Sequence, residues 1–208
     1  MIKYRLAKLS DAKSLARVHK VCAESQKDGF FHKLGILFIY RYYKIVISNK
    51  NSIILLAENK NGLLGFHSGT LKAEEHLSGL KNNRISLFFY VIPELFINPK
   101  LFFEVYKRYR YVSKKNTAIK FGVTNGPRGE YWGWDPENPN PLDSLKLHKK
   151  WHLIMKALGV NFIKSEVDVT NKRVLKSIKL MGGEIISEVI LPDGRNRAIV
   201  QYDLKNYN

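Results

Sequence analysis

Apolar and polar positions change period several times along the chain, and the changes mark its elements. Residues 2–6 alternate, which predicts a first strand. Ser10 then precedes a run in which Ala12, Leu15, Ala16, His19, Cys22 and Ala23 recur at helical spacing, so a helix capped by Ser10 is expected. Gly29, Phe30 and Phe31 interrupt it. A second helix follows, with Leu37, Phe38, Tyr42, Ile45 and Val46 on one face. Residues 53–57 and 64–70 are rich in strand formers, and Asn59-Lys60-Asn61-Gly62 between them predicts a hairpin turn.

The second half reads as clearly. Residues 85–96 and 101–111 carry helical periodicity on either side of Asn98-Pro99. Residues 117–123 and 130–134 read as strands, and Thr124-Asn125-Gly126-Pro127 turns the chain between them. Pro136, Pro139 and Pro141 exclude regular structure across 136–141. Leu147, Trp151, Ile154, Met155 and Leu158 form the stripe of a helix over 142–158, stopped by Gly159. A strand over 162–169 leads to a helix over 171–181 with Val174, Leu175, Ile178 and Met181 inward, ended by Gly182-Gly183. Residues 185–190 and 198–202 flank Pro192-Asp193-Gly194 as a last hairpin. No repeat or low-complexity linker breaks the series. The prediction is one α/β domain over 1–208, with a central mixed, mostly antiparallel sheet flanked by helices.

Composition narrows the partners. The chain has 208 residues and a net charge of +17. That charge draws it towards polyanions or phosphate-bearing small molecules. The lysines are spread throughout, so nucleic acid is possible as a partner and is not favoured. No run reaches the ~20 apolar residues of a membrane span. The first ten residues lack the apolar core of a secretory signal. Cys22 is the only cysteine, which excludes an internal disulfide, and a reducing cytoplasm is the expected compartment.

The informative stretch is 134–183. Trp134-Asp135-Pro136 is followed by a loop, a helix running to Leu158-Gly159-Val160, a strand, and a second helix in which Asn171, Val174 and Gly182 are spaced as N-x-x-A-x-x-x-Y-x-x-x-G. This series resembles the acyl-CoA-binding half of the GNAT superfamily of N-acyltransferases. In that family a V-D-P-like tripeptide precedes an R/Q-x-x-G-x-G/A pyrophosphate loop. The N-terminal elements are also similar to family members. The resemblance implies an acceptor-side half over about 1–116, a CoA-binding half over about 117–208, and acetyl-CoA or another acyl-CoA as donor. The acceptor it implies is an amine on a small or sugar-linked molecule. A homodimer is possible.

Residue by residue, the resemblance implies that Trp134, Asn140, Leu142, Asp143, Ser144, Leu145 and Asn171 line the CoA site. Independent of any family, a loop feeding a helix N-terminus offers unpaired N–H groups and a positive dipole end to a pyrophosphate. This loop departs from the pattern: Pro139 replaces the Arg or Gln, and Asn140, Leu142 and Ser144 replace glycines. Ile178 stands where many members carry the tyrosine that protonates the leaving thiolate. Glu130 enters the loop region on its strand and is the expected general base. Phe30, Phe31, Lys33 and Trp132 are the expected acceptor-side residues. His148 and His152 lie four apart on one helix, a spacing that can grip a metal. No third ligand is evident in the sequence, and no metal is expected. Two other functions compete: a GNAT-fold binding or regulatory module without catalysis, and an RNA- or tRNA-associated acyl transferase.

Overall fold

The computed structural model describes residues 1–24, 30–106, 122–191 and 194–207, excepting the side chains of Phe30 and His32. The strands are β1 (Lys3–Leu6), β2 (Ser52–Asn59), β3 (Gly62–Thr70), β4 (Arg128–Trp134), β5 (Phe162–Asp168), β6 (Gly183–Ile190) and β7 (Asn196–Asp203). The helices are α1 (Ala12–Glu24), α2 (Phe30–Lys33), α3 (Gly35–Ile47), α4 (Ala73–Asn82), α5 (Arg84–Ile97), a helical stretch over 101–106 (α6), α7 (Pro141–Ala157) and α8 (Lys172–Leu180).

The strands form one seven-stranded sheet in the order β1-β2-β3-β4-β5-β7-β6. Every neighbouring pair is antiparallel except β4 with β5. Alternation along the strands sends apolar side chains to both faces, and each face is covered. On one face Leu56 and Phe66 of the sheet pack against Leu15, Ala16, Ile39 and Tyr43 of α1 and α3. On the other, Leu55, Ile163 and Val200 pack against Leu147, Trp151 and Met155 of α7 and Leu175 and Ile178 of α8. Trp151 also donates its indole N–H to the Ile53 carbonyl at 2.9 Å, tying α7 to β2. The predicted β2–β3 hairpin closes with Asn59 opposite Gly62, whose φ of +130° is glycine territory.

Four expectations change in detail. Ser10 caps nothing; the Asp11 carboxylate accepts the Lys8 N–H at 2.7 Å and pairs with Arg5, because a 3-10 turn over Leu9–Asp11 precedes α1. The buried face of α3 is Gly35, Ile39, Tyr42, Tyr43 and Val46, and Leu37 is exposed. Pro141 opens α7 rather than preceding it, the position where a missing N–H costs least. Helix α4 was not expected: it buries only Ala73 and His76, so it shows no apolar stripe. The strand predicted over 117–123 lies mostly outside the described residues, as do 107–111 of the predicted helix and 192–193 of the last hairpin.

Candidate active site

Strand β4 is the seam of the sheet. Arg128 pairs with Lys164 and Gly129 with Ser165 on β5, and the pairing stops there. β5 continues to pair with β7 from Phe162 to Asp168. Among the described residues, the β5-facing edge of β4 between Glu130 and Trp134 has no strand partner, so its backbone N–H and C=O groups line a wedge. Gly129 permits the close approach at the closed end, where an added Cβ would collide with the Ser165 hydroxyl.

On its other edge β4 carries a bulge. Ser68 pairs with Tyr131 and Gly69 with Gly129, leaving Glu130 as the extra residue. The bulge resets the alternation and turns Glu130 towards the helical face that holds Tyr131. Its carboxylate, 9 % exposed, lies 3.2 Å from Arg128 Nε and 3.7 Å from His76 Nε2 of α4. Yet Glu130 Oε1 accepts no well-directed hydrogen bond. Arg128 donates Nη1 to the Val123 carbonyl at 2.9 Å and shares its charge with Glu166 of β5 at 3.7 Å. Burial therefore outweighs the nearby guanidinium, and the Glu130 carboxyl is pushed up to about 7. Burial and Arg128 hold His76 down at about 4, so it is neutral around pH 7. Such a carboxyl can take up and release a proton near neutral pH.

The expected acceptor-side residues do not share one face. Phe31 stacks on His19 at 5.4 Å and meets Tyr131 at 5.1 Å, on the α1/α3 side of the sheet beside Glu130. Lys33 is nearby in sequence but is held by Glu104 at 3.0 Å. The Phe30 side chain lies outside the described residues. Trp132 is on the opposite face, 4.4 Å from the His148 ring, so it cannot form a wall with Phe31. Residues not singled out by sequence complete the Glu130 surroundings: Arg128, His76, and Glu166 with Arg197 at 3.5 Å. Glu166 left one sequence signal, a carboxylate in mid-strand.

The loop after β4 satisfies much of itself. Trp134 donates its indole N–H to the Asn138 carbonyl at 2.8 Å, and Asp135 accepts from the Glu137 N–H at 3.0 Å and from Asn138 Nδ2 at 2.8 Å. Asn140 caps α7 by accepting the Asp143 N–H at 3.2 Å, and its own amide holds the Asp143 carboxylate at 2.5 Å. Lys146 pairs with the same carboxylate at 3.2 Å. Leu142 is 70 % exposed. Ser144 and Leu145 lie half-buried in the first turns of α7. Asn171 caps α8 by accepting the Val174 N–H at 3.2 Å.

No protein-family model and no curated protein sequence matches this chain. Solved structures match along nearly all of it. A GNAT-family acetyltransferase from Bacillus cereus superposes with a TM-score of 0.55 at 12 % identity, over 98 % of this chain and 97 % of that one. The PaiA N-acetyltransferase from Thermoplasma acidophilum, solved in complex with coenzyme A, gives 0.59 at 13 % identity, over 98 % and 99 %. A chimera of the Vibrio cholerae spermidine N-acetyltransferase SpeG gives 0.56 at 12 % identity, over 99 % and 97 %. The chain has the GNAT fold.

Within the GNAT fold, the parts of the donor site can be weighed against an acyl-CoA. The wedge beside residues 130–134 offers the extended edge that an amide-bearing pantetheine arm requires, and there the residues fit. The N-terminus of α7 fits a pyrophosphate poorly. Pro141 has no N–H, the Asp143 N–H is already capped, and a carboxylate sits at the dipole's positive end. Ile178 is buried in the α7/α8 core and supplies no proton. That same core holds the third imidazole the sequence did not reveal: His67 of β3 joins His148 and His152, all three buried.

Proposed function

We propose that this protein is an acyl-CoA-dependent N-acyltransferase, acetyl being the simplest donor, acting on an amine of a small or sugar-linked acceptor. The observation that carries the reading is Glu130, a buried carboxyl with a proton affinity near neutrality, placed by a bulge beside the unpaired edge of β4. Glu130 accepts the proton as the amine nitrogen bonds to the acyl carbon. The carbon–sulfur bond breaks, and the thiolate takes its proton from water, since Ile178 has none to give. Backbone N–H groups along the wedge stabilise the negative charge that develops on the carbonyl oxygen. The acceptor enters past Phe31 and Tyr131. The matched structures support this reading through their fold and, for one, bound coenzyme A.

The test is a melting curve with acetyl-CoA together with thiol release on a panel of primary amines. A raised melting temperature and amine-dependent thiol release are expected. Neither occurring at saturating acetyl-CoA would leave the second reading, a GNAT-fold binding module, which the self-capped N-terminus of α7 favours.

A further inference from the structure

We propose that His67, His148 and His152 form a binding site for one divalent first-row transition metal ion, Zn²⁺ being the best match to three imidazoles. Each offers one nitrogen, and the three nitrogens lie within 4.8 Å of one another. His67 Nε2 and His148 Nδ1 face each other at 3.0 Å. Tetrahedral Zn²⁺ at ~2.05 Å from each ligand sets neighbouring nitrogens about 3.4 Å apart, so the His67–His148 pair is already close to that spacing and the widest pair must close by about an ångström. Two of the three have the outer partners a metal-bound histidine uses. His148 Nε2 meets the Tyr202 hydroxyl at 2.9 Å, and His152 Nδ1 donates to the His148 carbonyl at 2.9 Å. That bond fixes the tautomer of His152 and turns its Nε2 lone pair inward, where it has no partner among the described residues. Trp132 Nε1 and Tyr207 Oη, on rings in contact with the cluster, are also buried without partners. Of these, the His152 Nε2 lone pair is the one a metal ion would satisfy. Burial keeps all three imidazoles neutral, the form that ligates. The ion would clamp β3 to α7 behind the wedge, on the face opposite Glu130.

The test uses the full chain without an affinity tag, stripped with chelator and titrated with Zn²⁺ and with Co²⁺. One equivalent of Zn²⁺, a raised melting temperature and the intense visible bands of tetrahedral Co²⁺ are expected. Tyr202→Phe keeps all three ligands and should weaken Zn²⁺ binding about tenfold or more. His152→Gln should abolish the Co²⁺ bands. Absence of stoichiometric binding by the stripped wild-type protein, or binding unchanged in His152→Gln, overturns the proposal.

A separate observation carries a second inference. Helix α5 is apolar on both its inner and its outer face. Val91 and Leu87 face the protein, while Ile85, Phe89, Phe96 and Ile97 face out, the last two 82 % and 77 % exposed. Phe102 and Phe103 of α6 are exposed as well. Large apolar residues gathered this way mark a docking surface. The neighbouring charges select its occupant. Arg84 and Lys100 are exposed beside these aromatics. Of the two acidic residues of the stretch, Glu104 is paired with Lys33 at 3.0 Å and Glu94 lies over Gly35. With a net charge of +17, we infer that this surface docks on an anionic lipid bilayer, aromatics at the headgroup level.

Sedimentation with phosphatidylglycerol-containing vesicles, against pure phosphatidylcholine, tests this. Binding to the anionic vesicles only is expected, falling about tenfold in a Phe89→Ser/Phe96→Ser variant. Wild-type protein that ignores anionic vesicles overturns the inference. So does one that elutes as a dimer, with the serine variant a monomer and vesicle binding unchanged, because the surface then belongs to a second copy.

Discussion

Replacing Glu130 by Gln should do two opposite things. Folding raises this carboxyl from its ordinary 4.5 to about 7. Between those values the unfolded chain is ionised and the folded protein is still protonated. Stability therefore falls as pH rises through that window and levels off above 7. At about 1.4 kcal/mol per pKa unit, the group costs the native state roughly 3 kcal/mol at pH 8 relative to pH 4.5. Gln has the same shape and cannot ionise, so its variant escapes that loss. Urea denaturation of both proteins at pH 5, 6, 7 and 8 reads the difference, and contributions from every other titrating group cancel. The variant should gain on the wild type by about 2–3 kcal/mol between pH 5 and pH 8. Its rate of acyl transfer should fall by about 100-fold or more, the usual contribution of a general base. A stability difference that does not change with pH, or changes in the other direction, would show that Arg128 stabilises the carboxylate and would refute the reasoning. A gain in stability with an unchanged rate would refute the assignment of the base alone.

Other substitutions and conditions test other parts of the structure. His19 and His76 are held at about 4 against an ordinary 6.5. The stability they contribute is present above pH 6.5 and lost as pH falls towards 4, so circular dichroism should show cooperative acid unfolding in that interval. Asp143→Asn removes the carboxylate from the start of α7; acetyl-CoA should bind several-fold tighter by calorimetry, at a stability cost of about 0.5 kcal/mol. Gly129→Ala sets a methyl against the Ser165 hydroxyl, which must rotate away at the closed end of the wedge, and should lower stability by about 1 kcal/mol in a denaturant titration.

Much of the fold was legible because its long elements carry clean periods. Helix α7 announces itself by Leu147, Trp151, Ile154 and Met155, and the β2–β3 hairpin by its Asn-Gly turn. Helix α4 stayed hidden because it buries only Ala73 and His76 and meets the core through Leu80 and His76, too few positions to make an apolar stripe. The site was half legible. Glu130 could be named, but its character depends on a bulge, and no local pattern reveals which residue of β4 lacks an opposite number. The third histidine of the buried cluster was missed for a related reason. His148 and His152 share a helix, whereas His67 comes from a strand 81 residues earlier in sequence. Trp132 was expected on the acceptor side, but it packs against His148 on the face opposite the one where Phe31 meets Tyr131.

The two backbone pairs joining β4 to β5 bear on more than ligand entry. Among the described residues they are the only strand contact between the β1–β4 and β5–β7 halves of the sheet, so an extended molecule in the wedge would act as a missing strand. Its amides would complete ladders that the protein leaves unfinished, and part of its binding energy would be stored as cohesion between the halves. Amide hydrogen exchange at residues 130–134 and 166–168 would then slow together on loading, and that joint protection would report the donor as a structural component of the sheet as well as a reactant.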